Sequence, residues 1–405
     1  MSTTRRTFLK VIAGSGGAFI IGIGFSDAAT EKSKPFQPNA WLRIDPDGTV
    51  HVRVGKSEMG QGVRTALPMI VAEELDADLK AIRIEQASPG PDFKGLGTGG
   101  SGSMMGQFDR LRTAGAAARS MLIAAAAQRW NVSPDTCQTA GGWVTHSSSS
   151  RRLSYGELAT DAAKQPVPEK PILKDVKSFR IIGRSQKRLD GSDIITGRAK
   201  YGLDVRVPGM LYAVIARAPR FGSKVVSFNS GAALKVSGVR HVLQVPSGIA
   251  VVARNTWAAM RGREALKIEW SESPHATFDS REHMKVLERS IEKPALVIHK
   301  HAEGRAAFKD VARTIEATYL YPFAAHASLE PVNCTALVTE DKCTIWSPTQ
   351  TPNGVQNAAV QMLGMSESAV TVNVMLLGGG FGRRLGVDFD KEALEIARQV
   401  KGTPV

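Results

Sequence analysis

The chain has 405 residues, enough for two or three domains with substantial cores. A formal net charge of +14 favours an anionic ligand, partner or surface. The basic residues form no block and do not alternate with aromatic residues, so we expect no nucleic-acid partner. The three cysteines include no Cys-x-x-Cys pair, which argues against an iron–sulfur cluster or a structural zinc site in this chain.

The N-terminus has the pattern of an export signal. Arg5 and Arg6 precede an apolar run over 11–25, and small residues follow it. This run is shorter than the ~20 residues that span a bilayer, so a permanent anchor is the weaker interpretation. The paired arginines before Thr-Phe-Leu-Lys resemble a twin-arginine signal, a route used by folded and often cofactor-bearing proteins. We therefore expect residues 1–29 to direct export to the periplasm, with membrane association left open.

Two glycine-rich loops follow in chain order. A hairpin over 41–54 leads into the loop at 58–62, and a helix is predicted over 63–75. A second loop, 95–103, precedes an alanine-rich helix predicted from about 106 to 130. A strand, a glycine loop and a helix in that order can cradle an anion with backbone N–H groups. The second loop alternates hydroxyls with glycines, which suits phosphate oxygens, although a flexible linker is the alternative.

The middle of the chain predicts a separate module. Composition changes near residue 170, so residues 36–170 form the first predicted domain after the signal. Residues 180–270 alternate short strands with short helices, which predicts a compact α+β module with a structural or interface role. A polar connector with one helix near 281–291 leads to a last domain at 295–405.

Two residue pairs give weak signals. His299 and His301 alternate as on a strand, but no third ligand lies near them, so solvated histidines are favoured and we predict no metal ligands. A strand is predicted over 314–321. Cys334 and Cys343 could face each other across a hairpin, where a disulfide is the weaker interpretation and two buried thiols the stronger one.

A third glycine loop lies close to the end of the sequence. An apolar, β-branched run over 370–377 predicts a buried strand, and Gly378–Gly382 follows it directly. A helix is predicted over 389–400. Arg383 and Arg384 could hold a phosphate, while a glycine turn needed only for packing is an equal alternative. None of the three loops matches a Walker or dinucleotide fingerprint, so residue chemistry alone does not name the ligand.

Five motifs form a specific combination: Glu58–Gly62, Gly99–Ser103, Leu329–Pro331, Thr349–Gln350 and Gly378–Gly382. Together they resemble the molybdopterin-binding large subunit of the xanthine dehydrogenase and aldehyde oxidoreductase family, and the branch they resemble most is the isoquinoline 1-oxidoreductase β-subunit type. The resemblance covers about residues 36–405. It implies an α+β fold with molybdenum-hydroxylase large-subunit architecture: mixed sheets with helices, plus an α/β-hammerhead module at 180–270.

The resemblance also implies a chemistry. The cofactor would be molybdopterin cytosine dinucleotide with molybdenum. The substrate would be an N-heteroaromatic molecule resembling isoquinoline, or an aldehyde, oxidised with oxygen from water. Electrons would leave through a small partner subunit that carries [2Fe–2S] clusters, which agrees with the missing cysteine motifs, and a cytochrome c is one candidate acceptor. The alternative is an exported binding or scaffold protein that keeps the fold without the chemistry.

Carried over by motif, the resemblance assigns site residues. Gln350 should hydrogen-bond an oxo ligand of molybdenum, and Phe381 should line the face of the metal, so these are the expected catalytic residues. Gln61 should contact the pterin, and Ser101 and Ser103 the phosphates. The expected cofactor-binding set is Gly60, Gln61, Gly62, Gly99, Gly100, Ser101, Gly102, Ser103, Gly379, Gly380, Phe381 and Gly382.

The sequence departs from the family pattern at two points. Where many relatives have Gly-Gly-Lys-Glu after the phenylalanine, this chain has Gly382-Arg383-Arg384-Leu385, so a substrate-binding carboxylate is missing. The two arginines are then expected on the substrate side or in structural roles. The family's catalytic glutamate lies in a Gly-x-Gly-Glu motif that this sequence does not contain. We therefore expect the chain to be incomplete and to show no turnover alone.

Overall fold

The computed structural model describes the backbone of residues 9–13, 19–23 and 40, and all atoms of residues 41–91, 93–300, 308–309 and 311–405. Helices and strands are mixed throughout these ranges, so the predicted α+β class is confirmed. None of the helices in the described ranges combines the length and apolar character needed to cross a membrane. Most of the predicted export signal lies outside these ranges, and it stays a prediction.

A five-stranded sheet begins the fold. Its strands follow chain order, with β4 and β5 parallel and the other neighbours antiparallel. The predicted hairpin is present, and every second residue of its second strand is buried, as expected for a strand with one face on the core. The strands are Leu9–Ala13 (β1), Phe19–Ile23 (β2), Ala40–Ile44 (β3), Val50–Val54 (β4) and Ile82–Gln86 (β5).

Three helices and a small antiparallel sheet pack with this layer. Gly115 lets two helices approach closely, since a Cβ there would lie 2.8 Å from the Cβ of Glu74. The long helix begins at Gly102, four residues before its predicted start at 106, so the second glycine loop is shorter than expected. The elements are Val63–Leu75 (α1), Gly102–Trp130 (α2), Cys137–Ala140 (β6), Trp143–His146 (β7), Arg151–Ser154 (β8) and Tyr155–Ala162 (α3).

Residues 172–204, which we call the strap, leave this domain and run along α1. The strap is mostly irregular and contains one short helix, Gly191–Ile195 (α4). The buried carboxylate of Glu73 accepts the backbone N–H groups of Arg180, Ile181 and Ile182 at 2.9, 2.6 and 3.1 Å. Side chains of α1 therefore fix the path of the strap.

The middle module contains a three-stranded antiparallel sheet, a two-stranded sheet and two short helices. Its short strands and short helices alternate along the chain, as the sequence predicts. They are Tyr212–Arg217 (β9), Val225–Asn229 (β10), Gly231–Leu234 (α5), Val239–Val245 (β11), Gly248–Ala253 (β12), Thr256–Glu264 (α6) and Lys267–Trp270 (β13).

The next segment contains one helix, Ser280–Ile291 (α7), which has no buried residue. The strand predicted over 314–321 is wrong: these residues form no regular element, and Ile315, Tyr319 and Tyr321 are largely exposed. Apolar alternation favours a strand, but a strand needs a neighbour to satisfy its backbone groups, and the described part of the chain does not place one there.

The last domain packs a mixed three-stranded sheet against two helices. Cys343 lies opposite Val338 in the hairpin and not opposite Cys334, and both cysteines are free. Of the two thiols that we expected to be buried, Cys343 is buried and Cys334 is half-buried. The elements are Thr335–Val338 (β14), Cys343–Ser347 (β15), Pro352–Leu363 (α8), Val370–Val374 (β16) and Asp388–Gln399 (α9).

Candidate functional site

Gln350 joins the second and third glycine loops. Its Nε2 donates to the carbonyl of Thr98 at 2.9 Å, and its Oε1 accepts from the N–H of Gly382 at 3.2 Å. The backbones of Gln350 and Thr98 are also bonded at 2.9 Å. Gln350 is only 3% exposed. The side-chain amide is thus a fixed bridge between two loops that lie more than 250 residues apart in sequence.

The first loop reaches the same point. The N–H of Ser57 donates to the hydroxyl of Thr98 at 2.8 Å, and the Ser57 hydroxyl donates to the carbonyl of Thr349 at 2.7 Å. The N–H of Leu377 donates to the carbonyl of Glu58 at 3.0 Å. All three predicted loops therefore meet around the Thr349–Gln350 motif.

Gly380 shows how closely the loops pack. A Cβ at this position would lie 2.5 Å from Sδ of Met59 and 2.8 Å from Oε1 of Gln350. Real Cβ atoms do not approach heavy atoms this closely, so a side chain at this position would displace Met59 or the amide of Gln350. The packing alternative for this glycine thus has direct support, and a cofactor role for Gly380 stays a prediction.

A buried carboxylate organises the first loop from within. Glu58 is 3% exposed, and its two oxygens accept the N–H groups of Gly60, Gly62 and Arg64 at 2.9, 2.9 and 3.0 Å. These donors belong to the loop and the first turn of α1, where a helix has N–H groups without intrahelical partners. Glu58 therefore occupies the anion position that the sequence pattern predicted for an external ligand.

Gln61 also makes contacts within its own loop. Its Oε1 accepts from the N–H of Met59 at 2.7 Å, and its Nε2 donates to the carbonyl of Ser57 at 2.9 Å. Despite these contacts, Gly60 and Gln61 are exposed to solvent. Contact between Gln61 and a pterin stays a prediction, and the structure gives this side chain a loop-shaping role in addition.

The second loop leaves the start of α2 open. Ser101 is the N-cap with φ of 54°, and its side chain makes no capping hydrogen bond. Gly102 donates to the carbonyl of Gly99 at 3.1 Å. Gly99 to Ser101 are exposed, whereas Gly102 and Ser103 belong to the first turn of the 29-residue helix. An uncapped helix N-terminus presents backbone N–H groups and positive potential to an anion.

Phe381 projects from the third loop. Its side chain is 70% exposed, and its φ of 53° lies in the left-handed region, which is strained for a residue other than glycine. Ala327 has φ of 48° on the facing segment. The hydroxyl oxygen of Ser328, next to Gly379, is buried without a hydrogen-bond partner among the described residues. Strain and an unsatisfied polar atom thus occur together at one place.

The two arginines after this loop have structural roles. Arg384 is fully buried and donates to the carbonyl of Gly379 at 2.9 Å and to the carboxylate of Glu330 at 3.0 Å. Burial lowers the pKa of Arg384, and the Glu330 carboxylate opposes this effect. Arg383 forms a bidentate pair with Asp388 at 2.8 and 2.6 Å. Both guanidinium groups are therefore paired with carboxylates of the chain, which disfavours a phosphate-clamp role.

Sequence reasoning assigned no role to several residues that build this site. Thr98, Glu330 and Ser328 contact the loops directly, and Arg188 lies against the first loop. Glu330 is within the Leu329–Pro331 motif, and its position there was the only signal for it. No group of three or more His, Cys, Asp or Glu side chains in the described ranges is arranged to hold a metal ion, and His301 is outside these ranges.

Comparisons with known proteins define the class. Two matches to a molybdopterin cofactor-binding domain cover residues 4–194 and 290–405. The first contains the loops at 58–62 and 99–103, and the second contains Gln350 and the third loop. The chain is therefore a molybdopterin-binding protein, and it belongs to the xanthine dehydrogenase family, as predicted.

Two individual relatives are similar to nearly the whole of this chain. The chain is 33% identical, over an alignment 437 residues long, to the isoquinoline 1-oxidoreductase subunit beta of Brevundimonas diminuta. The alignment covers 96% of this chain and 56% of that protein. It is also 33% identical over 438 residues to a membrane-bound aldehyde dehydrogenase of Gluconacetobacter polyoxogenes, covering 100% and 55%. The chain thus spans about half the length of these relatives.

Solved structures include weaker matches. The aldehyde oxidoreductase of Desulfovibrio gigas aligns with a TM-score of 0.43 and 17% identity, over 62% of this chain and 33% of that chain.

Proposed function

We propose that the chain is the molybdopterin-binding part of a periplasmic molybdenum hydroxylase that oxidises an N-heteroaromatic or aldehyde substrate with oxygen from water. One observation carries this proposal: three glycine loops, far apart in sequence, meet around Gln350. A large anionic cofactor is contacted by several loops at once. Relatives whose names give isoquinoline oxidation and aldehyde oxidation support the substrate classes.

The open side of the loops fits such a cofactor. A Cβ at Gly60, Gly100 or Gly382 would meet no heavy atom within 4 Å, so the backbone at each position is accessible. The start of α2 has no side-chain cap, which leaves N–H groups for a phosphate. The unsatisfied hydroxyl of Ser328 supplies a further polar group beside the third loop.

Different residues of the chain would bind the cofactor and orient it. The first N–H groups of α2, with the hydroxyls of Ser101 and Ser103, would hold the phosphates. The amide of Gln350 carries two hydrogens, of which Thr98 accepts one, so the other can orient a cofactor oxygen. The exposed ring of Phe381 would exclude water from the substrate side. A bound molybdenum cofactor would supply the two-electron oxidant for the substrate.

The finer features of the proposal come from the resemblance. They are the cytosine dinucleotide form of the cofactor, a small [2Fe–2S] partner subunit, and electron transfer onward, with a cytochrome c as one candidate acceptor. The word "subunit" in the names of relatives supports a multi-chain enzyme. The periplasmic location is supported by the likeness of the N-terminus to a twin-arginine signal.

Cofactor analysis tests the proposal. The purified chain is expected to contain molybdenum in near-stoichiometric amount and to release a cytosine nucleotide on acid treatment. A stable, metal-free chain expressed in cells that make the cofactor would contradict the proposal and support an exported scaffold. Export is tested separately by mass analysis of the mature N-terminus in the periplasmic fraction. Retention of residues 1–29 in the cytoplasm would contradict the proposed location.

A further inference from the structure

We infer that Arg188, a residue of the strap, is a positioning residue that holds the Glu58–Gly62 loop in its cofactor-binding shape; this inference rests on the proposed function. One guanidinium nitrogen of Arg188 lies 3.2 Å from Oε1 of Glu58, the oxygen that accepts from Gly60 and Gly62. Another donates to the carbonyl of Gly60 at 3.2 Å. Arg188 thus contacts both the carboxylate that shapes the loop and the loop backbone.

Arg188 is itself held in place by a second carboxylate. Asp190, 7% exposed, accepts from Nε and Nη2 of Arg188 at 2.9 and 3.0 Å. This bidentate geometry fixes the plane of the guanidinium group, which a lysine could not reproduce. Arg64, in the first turn of α1, lies 3.8 Å from the same carboxylate. Glu58, Arg188, Asp190 and Arg64 therefore form a closed network of alternating charges under the loop.

The charges of the Arg188–Asp190 pair persist over the whole physiological pH range. The hydrogen bond with Asp190 is the largest cause that raises the pKa of Arg188, against the effect of burial. Burial raises the pKa of Asp190, but its hydrogen bond with Arg188 and the nearby positive charges outweigh burial, so the pKa lies below its usual value. This ion pair is therefore not a pH switch.

The strap also connects the first loop to the third. Next to Arg188, the N–H of Leu189 donates to the hydroxyl of Thr65 at 3.0 Å, which pins the strap to α1. Further along, the N–H of Leu203 donates to Glu330 at 3.0 Å, and the other oxygen of Glu330 accepts from Gly378 at 2.8 Å. One continuous segment thus fixes two loops that the sequence separates by about 300 residues.

Arg188 can be changed without opening the core, because its side chain is 34% exposed. The matched control is Arg198 on the same strap, which forms an ion pair with the exposed Asp193 at 2.9 Å and does not contact a glycine loop in the described structure. The experiment compares Arg188→Met, Arg188→Lys and Arg198→Met in the full chain without cofactor. Hydrogen exchange of the amides in residues 58–64 is measured, together with the thermal midpoint.

We expect Arg188→Met to accelerate exchange at Gly60 and Gly62 by about tenfold or more, because a charge-assisted restraint on their acceptor is lost. Arg188→Lys should restore part of the protection from exchange, since lysine keeps the positive charge but lacks the bidentate geometry of the guanidinium group. Arg198→Met should exchange at these amides like the wild type. Unchanged exchange in Arg188→Met would overturn the inference, and so would acceleration throughout the chain with a matching fall in the thermal midpoint.

A second readout separates this inference from the proposed function. Release of cytosine nucleotide and molybdenum from the holoprotein should be faster in Arg188→Met than in Arg198→Met. If the wild type binds no cofactor while Arg188→Met still loosens residues 58–64, the proposed function fails and the inferred control of the loop stands. If the wild type binds the cofactor, and if Arg188→Met and Arg198→Met release the cofactor at the same rate, the positioning role is overturned while the proposed function stands.

Discussion

Helices α1 and α2 both begin at a glycine loop next to the same site, but their first turns differ in what satisfies the backbone N–H groups. At α1 the buried carboxylate of Glu58 accepts from Gly60, Gly62 and Arg64. At α2 the N-cap Ser101 makes no side-chain capping bond and is exposed. The same order of strand, glycines and helix therefore produced one loop filled by the chain itself and one loop open to a ligand.

The difference lies in a single acidic residue and its supporting cations. An anion near a helix N-terminus is stabilised whether it comes from the chain or from a ligand. Because Glu58 already supplies that charge at α1, the first loop has no vacant anion position, whereas no side chain of the N-cap residue accepts from the N–H groups at the start of α2. Variants that remove the internal anion from α1, or add one to α2, test this comparison.

Removal of the internal anion should have the largest effect. Glu58→Ala leaves three N–H groups without their acceptor and removes one of the two carboxylates paired with Arg188, and we expect the free energy of unfolding to fall by about 3–5 kcal/mol. Urea unfolding measures the change. Glu157→Ala, at the exposed start of α3, removes a glutamate that also accepts from the start of a helix and should cost below about 1 kcal/mol. Equal losses would show that the burial of Glu58 is unimportant.

Asp390 is a second buried carboxylate, but it has fewer hydrogen-bond donors around it than Glu58 has. Oδ1 accepts from Ser347 at 2.5 Å, whereas Oδ2 is buried without a partner among the described residues. Burial raises the pKa of Asp390 to about 7. The folded state therefore favours the protonated acid, so this group makes the free energy of unfolding fall as pH rises from about 4 to 7.

Asp390→Asn keeps the shape of the protonated acid but cannot ionise. The fall in the free energy of unfolding with rising pH should therefore disappear in this variant. We expect its free energy of unfolding, relative to wild type, to increase by about 2–3 kcal/mol between pH 5 and pH 8. Asp388→Asn is the control: the hydrogen bond with Arg383 lowers the pKa of Asp388, so its effect on pH dependence lies below about pH 4. A relative stability of Asp390→Asn that is constant with pH would contradict the prediction.

Close contact between the loops can be tested with a pair of glycine variants. Gly380→Ala places a Cβ 2.5 Å from Met59, and we expect a loss of about 1–3 kcal/mol in the free energy of unfolding. Gly382→Ala meets no atom within 4 Å but has φ of 89°, so it should cost only about 1 kcal/mol. Thermal unfolding compares the two. A smaller loss for Gly380→Ala would mean that the loops separate easily.

Addition of an anion to α2 should have the smallest effect on stability. Ser103→Asp puts a negative charge in the open first turn and should stabilise the cofactor-free chain by about 0.3–1 kcal/mol relative to Ser103→Asn. The same charge should weaken binding of inorganic pyrophosphate, measured by calorimetry. If the two variants bind pyrophosphate equally, the start of α2 is not the phosphate site.

Sequence patterns predicted most of the secondary structure and the three loops. The helix over 63–75 has the predicted bounds because Gly62 marks its start and its apolar run ends at Leu75. The strand over 314–321 was wrong because alternation alone does not supply a neighbouring strand. The start of α2 was misplaced by four residues because glycines, which favour loops, begin the helix at Gly102.

The sequence by itself determined the family, the α+β class and the positions of the glycine loops, because these depend on local spacing and on motifs. Only the tertiary structure decided which loop is filled by Glu58, which arginine is buried with Glu330, and that Arg188 of the strap lies under the first loop. The Arg384–Glu330 and Arg188–Glu58 contacts join residues 54 and about 130 positions apart, whereas Glu58 is close in sequence to the N–H groups from which it accepts. Sequence spacing does not show which side chain satisfies an N–H group, because that depends on the path of the folded chain.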